Sequence, residues 1–230
     1  MKLMIPYFSA PICFAENVLN TLVVENQKLF REIVADINQQ IAKWEGKIVL
    51  SEEDEPIPMA GNVEMLQSYL DLDLNQKNLL NKVQAILEKT AVDEAHYLET
   101  QEVLAAVERY ISKLSFACPA DIECGKLTVS NVLKMAGIHF TQILSDPLEN
   151  LYQYMTLVRE LDKEKLFVFV NLRSWFLDEE VETFMQTALS HKFNVLLLDN
   201  REYPLFPAKK EPSSTGICAK YSCKWQGNLL

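Results

Sequence analysis

Glycine is scarce in this chain. Its 230 residues include only six, Gly46, Gly61, Gly125, Gly137, Gly216 and Gly227. A phosphate-binding loop needs clustered glycines, so that backbone amides can approach the anion, and a lysine beside them. No two glycines here take that spacing ahead of a Lys-Ser or Lys-Thr pair, so ATP hydrolysis at such a loop is not expected and no nucleotide cofactor is assigned. Long hydrophobic runs are missing too. The longest are strand-sized, far short of the roughly 20 residues that span a bilayer, and no membrane association is expected. Met1–Phe14, broken by Pro6 and Pro11, does not read as a signal peptide. The cysteines number five and share no zinc spacing, which fits reduced thiols in a cytoplasm. His96, His139 and His191 are scattered, and no Cys–His or Ser–His pair forms a nucleophile with its base.

Positive charge is also in short supply. The 22 Lys and Arg face 32 Asp and Glu, for a net charge of −10, which excludes a surface that coats nucleic acid on every side. A polyanion could be held only where the cations gather. Lys28 and Arg31 open the first helix, with Lys43 and Lys47 at its end. Lys77 and Lys82 lie on a long middle helix, and Lys209 follows the last strand. Phosphate contacts by such residues would be sequence-independent and salt-sensitive. The acidic run Glu52–Glu55, and Asp121 with Glu123, could offer oxygens to a hard cation, although a solvated loop is the plainer reading of each.

What the chain does have is a core. Hydrophobic residues make up 49% and charged residues 23%, ordinary values for a folded protein. Phe167–Val170 and Val195–Leu198 have no polar face, the pattern of parallel strands buried on both sides. Between them Leu177, Val181, Phe184, Met185 and Ala188 make the stripe of a crossover helix. The polar residues after each strand, Asn171, Arg173, Asp199 and Arg201, would lie at the carboxyl edge where open α/β sheets bind ligands. Near the N-terminus, Ile12–Phe14, Leu19–Val24, a helix over Lys28–Trp44 stopped by Gly46, and Lys47–Leu50 repeat a β-α-β order. The acidic run with Pro56 and Pro58 breaks regular structure. Gln76–Glu94, Thr100–Phe116 and Thr128–Met135 are helical, the last stopped by Gly137. Strands at both chain ends predict one shared sheet, with an α/β head over residues 1–72 and 146–207 and an inserted helical leg over 73–145. Residues 208–230 read as an aperiodic tail.

In order and wording these segments resemble the short form of the Csn-two family, accessory proteins of type II-A CRISPR spacer acquisition. The resemblance rests on Lys165–Asn171, Leu177–Leu189, Val195–Pro207 with its Asp-Asn-Arg-Glu-Tyr ending, Pro11–Glu25 with the helix after it, and Thr128–Gly137 followed by Ile138–Phe140. It spans about residues 3–207. It implies an α/β fold with a P-loop-like head whose phosphate site is degenerate, plus a helical leg. It also implies a homotetrameric ring whose positive hole holds double-stranded DNA ends, without catalysis, alongside the CRISPR integrase and effector nuclease. The DNA contacts expected from the placement of charge are Lys28, Arg31, Lys77, Lys82 and Lys209, none of them fixed by a family motif. The family usually carries Asp-Glu before its Pro-Ile, where Ser9-Ala10 stand here. Its acidic, calcium-binding loop is reduced here to Pro119–Gly125. Asp121 and Glu123 remain as candidate ligands, and two carboxylates fall short of the six to eight oxygens calcium takes. Calcium is thus expected only through the family. On the residues alone two other readings stay open: a nucleotide-dependent enzyme using the polar sheet edge, and a protein-only scaffold in the acquisition complex.

Overall fold

The computed structural model describes residues 1–15, 18–70, 72–120, 122–123, 125–141, 146–162, 164–203 and 217–222. The chain divides into two compact units, Met1–Leu72 with Leu144–Leu230, and Asp73–Ile143.

The first unit is mixed α/β and contains two sheets, where one was expected. Strands β1 (Lys2–Met4), β2 (Ile12–Cys13), β4 (Val49–Glu52) and β5 (Glu55–Ile57) form an antiparallel sheet in the order β2-β1-β4-β5. Strands β3 (Val18–Val23), β6 (Val63–Leu66), β7 (Leu166–Val170), β8 (Asn194–Asp199) and β9 (Ile217–Ser222) form a parallel sheet in the order β6-β7-β8-β3-β9. The N-terminal strands therefore part company. β3 and β6 join β7 and β8, while the shorter strands pair among themselves.

Three helices complete this unit: α1 (Gln27–Ile41), α5 (Pro147–Leu161) and α6 (Asp178–Ser190). Helix α1 buries Leu29, Ile33 and Ile37 between the two sheets, in one core with Leu3, Ile12 and Leu50 of the small sheet and Val168, Leu196 and Leu198 of the large one. Alternate residues of β7 point the other way. Phe169 meets Phe184 of α6 edge-on at 5.2 Å, and Phe167 meets Phe193 at 5.7 Å. Both faces of the parallel sheet are thus covered, which is why its strands lack a polar face.

Several local expectations change for physical reasons. The acidic run does not break the structure. Glu53 and Asp54 both adopt positive φ (49° and 67°) at a two-residue hairpin turn between β4 and β5, and Pro56 sits in an edge strand that needs no donor there. Asp54 pairs with Lys2 at 2.6 Å. Helix α1 ends at Ile41, earlier than expected, because Lys43 turns left-handed (φ 67°) and Trp44 N–H bonds back to Gln39 O. Gly46 has a different duty. The chain passes so close to Asp36 and Gln40 there that a Cβ would clash, and Asp36 accepts from Lys47 N–H and Ile48 N–H. Residues 217–222, read from sequence as part of a tail, pair with β3 as β9.

The second unit holds α2 (Lys77–Thr90), α3 (Tyr97–Ser115) and α4 (Val129–Ala136). Thr128 accepts from Asn131 N–H as the N-cap of α4, and Gly137, at φ 62°, ends it as the sequence predicts. His139 is exposed, with Nδ1 3.0 Å from Gly137 O. Helix α2 buries only Leu79, and α3 and α4 bury no residue.

Candidate nucleic-acid interface

The carboxyl ends of β7 and β8 are stitched together by Asn171. It sits in the left-handed region (φ 54°), which an asparagine tolerates better than most residues. Its own N–H donates to Leu198 O at 2.9 Å, and its Oδ1 accepts from Asn200 N–H at 3.0 Å. Tyr69 supports the same edge from below, its hydroxyl lying 2.9 Å from Val170 O and 3.0 Å from Leu66 O. Burial and the neighbouring Asp199 charge push its phenol pKa up, so it stays a neutral donor.

Asp199 ends β8 at 1% exposure, and neither carboxylate oxygen accepts a hydrogen bond from the described residues. Burial raises its pKa to about 6, against the pull of Arg173 and Arg201. Those two guanidiniums bracket Tyr203, with Cζ 4.6 and 4.7 Å from the ring centroid. Arg173 also reaches Asp178 at 3.5 Å, and Ser174 Oγ lies 2.9 Å from the Tyr203 hydroxyl. The structure brings Asn171, Arg173, Asp199 and Arg201 to one edge, as the sequence predicts, and Tyr203 occupies a face of both arginines. Three residues, Val24, Glu25 and Asn26, link β3 to α1. A phosphate-cradling loop of the Gly-rich type takes about eight.

Beside this edge runs the outer face of α1. Lys28, Arg31, Ala35 and Asn38 are all exposed, spaced i, i+3, i+7 and i+10 along one stripe, and the first turn contains no acid. Arg31 and Asn38 line a cavity of about 440 Å³ with Gln67, Val170, Asn171 and Trp175. No Asp or Glu among the described residues lines it. The sequence reading passed over Asn38, Gln67 and Trp175, since they come from three segments with no shared spacing.

The remaining candidates divide between the units and the undescribed residues. Lys77 is exposed at the start of α2 and Lys82 is half-buried on the same helix; both belong to the second unit. There Lys77 shares a cavity of about 310 Å³ with Lys134, a cation the sequence did not single out. Lys209 and Asp121 lie outside the described residues. Glu123 is exposed, and among the described residues no three His, Cys, Asp or Glu side chains gather as a metal site. Among those residues, too, no helix is long and apolar enough to cross a membrane.

A family model described as CRISPR-associated protein (Cas_Csn2) matches residues 40–209, well over half of the chain. The chain belongs to the CRISPR-associated Csn2 family. Csn2 proteins are CRISPR-associated accessory proteins and not a known enzyme family. The matched stretch of this Csn2 chain contains β4 through β8 and the whole second unit, with the Asn171–Arg201 edge inside it. Lys28 and Arg31 precede it, so their assignment rests on the geometry of α1 alone.

Proposed function

We propose that this protein is a non-catalytic, sequence-independent binder of double-stranded DNA ends. It works as a ring-shaped homotetramer in type II-A spacer acquisition, with the CRISPR integrase and effector nuclease as partners. The observation that carries the reading is the pair of exposed cations Lys28 and Arg31 at the start of α1, whose first turn contains no acid, since a chain of net charge −10 can meet a polyanion only where its cations are segregated. The three-residue link before α1 supports a P-loop-like head that has lost its phosphate loop. The apolar face left open on α3 supports self-association through a helical leg. Calcium enters this reading only through the family resemblance, and apolar contacts of the helical leg help to hold the ring.

The test is binding to one DNA as a linear duplex and as a closed circle, across a salt series, with native mass measured in parallel. Linear DNA should bind and the circle should not, with affinity falling as salt rises. The K28Q/R31Q double variant should lower the logarithmic salt slope by about 2 per subunit contact set. Equal binding to both forms would replace the ring with an open groove. Absence of binding to either would leave the protein-only scaffold.

A further inference from the structure

The cavity between α1 and the end of β7 has a chemistry that phosphate binding does not use. We propose that it takes an unpaired nucleobase at the end of a DNA strand. The inference rests on the DNA reading above and names what that site recognises.

Trp175 supplies the stacking surface. It is 48% exposed, yet it is not loose, because buried Tyr69 meets it edge-on with centroids 6.0 Å apart. An indole fixed on one side and open on the other is the platform on which unpaired bases stack, whatever their sequence. The rim supplies hydrogen bonds. Asn171 Oδ1 is taken by Asn200 N–H, which leaves its amide NH₂ as a donor. The side chains of Arg31, Asn38 and Gln67 make no hydrogen bond or ion pair among the described residues. Carboxamides and a guanidinium pair with base edges in two-point fashion. A cavity of about 440 Å³ also falls within the roughly 300–1,000 Å³ of ordinary small-molecule sites.

Charge and placement select a nucleotide over a neutral aromatic ligand. Among the described residues the lining has no acid, in a chain with 32 of them. Lys28 stands one turn from Arg31 on the same face of α1, at the helix end whose amides favour an anion. A base on Trp175 would therefore carry its phosphate toward Lys28. A base still paired in a duplex cannot enter, because its face is stacked on its neighbours and its edge is held by its partner. The cavity would read the frayed or overhanging nucleotide of an end.

The test compares a blunt duplex with the same duplex carrying one unpaired nucleotide at each 3′ or 5′ end, by anisotropy at fixed salt. The overhang should tighten binding about five-fold or more. W175A should bring the ratio of overhang to blunt affinity to about one, and W175F should retain part of it. Asn38→Ala and Gln67→Ala, at exposed positions, should also lower that ratio, which guards against a fold defect in W175A. In a W44F/W225F background the overhang should quench Trp175 fluorescence more than the blunt duplex does. A wild-type ratio of one, or a ratio unchanged by W175A, overturns the nucleobase site while leaving salt-dependent duplex binding intact. Failure of both duplexes to bind overturns it together with the DNA reading.

Discussion

The two units use the same kind of sequence signal to opposite ends. In the α/β unit every residue of β7 is buried, and α1, α5 and α6 each bury an apolar stripe against a sheet. In the helical unit α3 carries a stripe over 19 residues and fully buries none of it, with Leu104, Val107 and Ile111 only half-buried. Val103 is 47% exposed and Leu114 is 54% exposed. An amphipathic stripe thus announces that a helix needs a partner, but not that the partner belongs to the same subunit. Soluble monomers seldom leave such a surface open, so the contrast locates where this chain depends on something beyond itself.

Core truncation should expose the contrast most sharply. Phe169 is fully buried and packs against Phe184 and Tyr69. Phe169→Ala should cost about 3–5 kcal/mol in denaturant unfolding, at any protein concentration. Leu104→Ala, on half-buried α3, should cost less than about 1 kcal/mol at low concentration and more as assembly covers the face. If both variants cost the same at the lowest concentration, α3 is held within the subunit after all.

The next largest effect belongs to Asp199, whose burial opposes stability. A carboxyl with a folded pKa of about 6, against 3.8 as the reference value, binds its proton more tightly folded than unfolded. Below 3.8 both states are protonated and the residue costs nothing by linkage. As pH rises through the window from 3.8 to about 6 the unfolded state gives up its proton first and stability falls. Above about 6 the full cost is present, on the order of 3 kcal/mol from about 1.4 per pKa unit. D199N should therefore raise the unfolding free energy at pH 8 by up to that amount and leave it nearly unchanged at pH 4. A variant less stable than the parent at pH 8 would mean that the two arginines need the charge more than burial opposes it.

Most of the parallel sheet was legible because burial on two faces leaves no ambiguity of period. Phe167–Val170 and Val195–Leu198 could be little else, and the crossover stripe between them fixed α6. Of the antiparallel sheet, β2 and β4 were legible as Ile12–Phe14 and Lys47–Leu50, but β1 and β5, of three residues each, are too short to show alternation, and nothing in the sequence separated these strands from the parallel sheet. The Glu53-Asp54 turn was hidden because acids there adopt a backbone usually left to Asn or Gly. At the site, Lys28 and Arg31 stood out as cations at helical spacing. Trp175, Asn38 and Gln67 did not, because only the packing of α1 beside β6 and β7 brings them to one cavity.

The smallest test uses one helix cap from each unit. Asn26 caps α1 by accepting from Leu29 N–H at 3.0 Å, and Thr128 caps α4 through Asn131 N–H at 3.3 Å. Removing either acceptor by alanine typically costs about 1 kcal/mol locally. In α1 the helix is locked between two sheets, so fraying its first turn disturbs the common core. Asn26→Ala should then lower global unfolding by close to that full amount. In α4 no residue is buried, so the end can open without unfolding its neighbours. Thr128→Ala should speed amide hydrogen exchange over Val129–Val132 and leave global unfolding nearly unmoved. Equal global losses from the two caps would mean that the helical unit unfolds as cooperatively as the α/β unit, despite its open face.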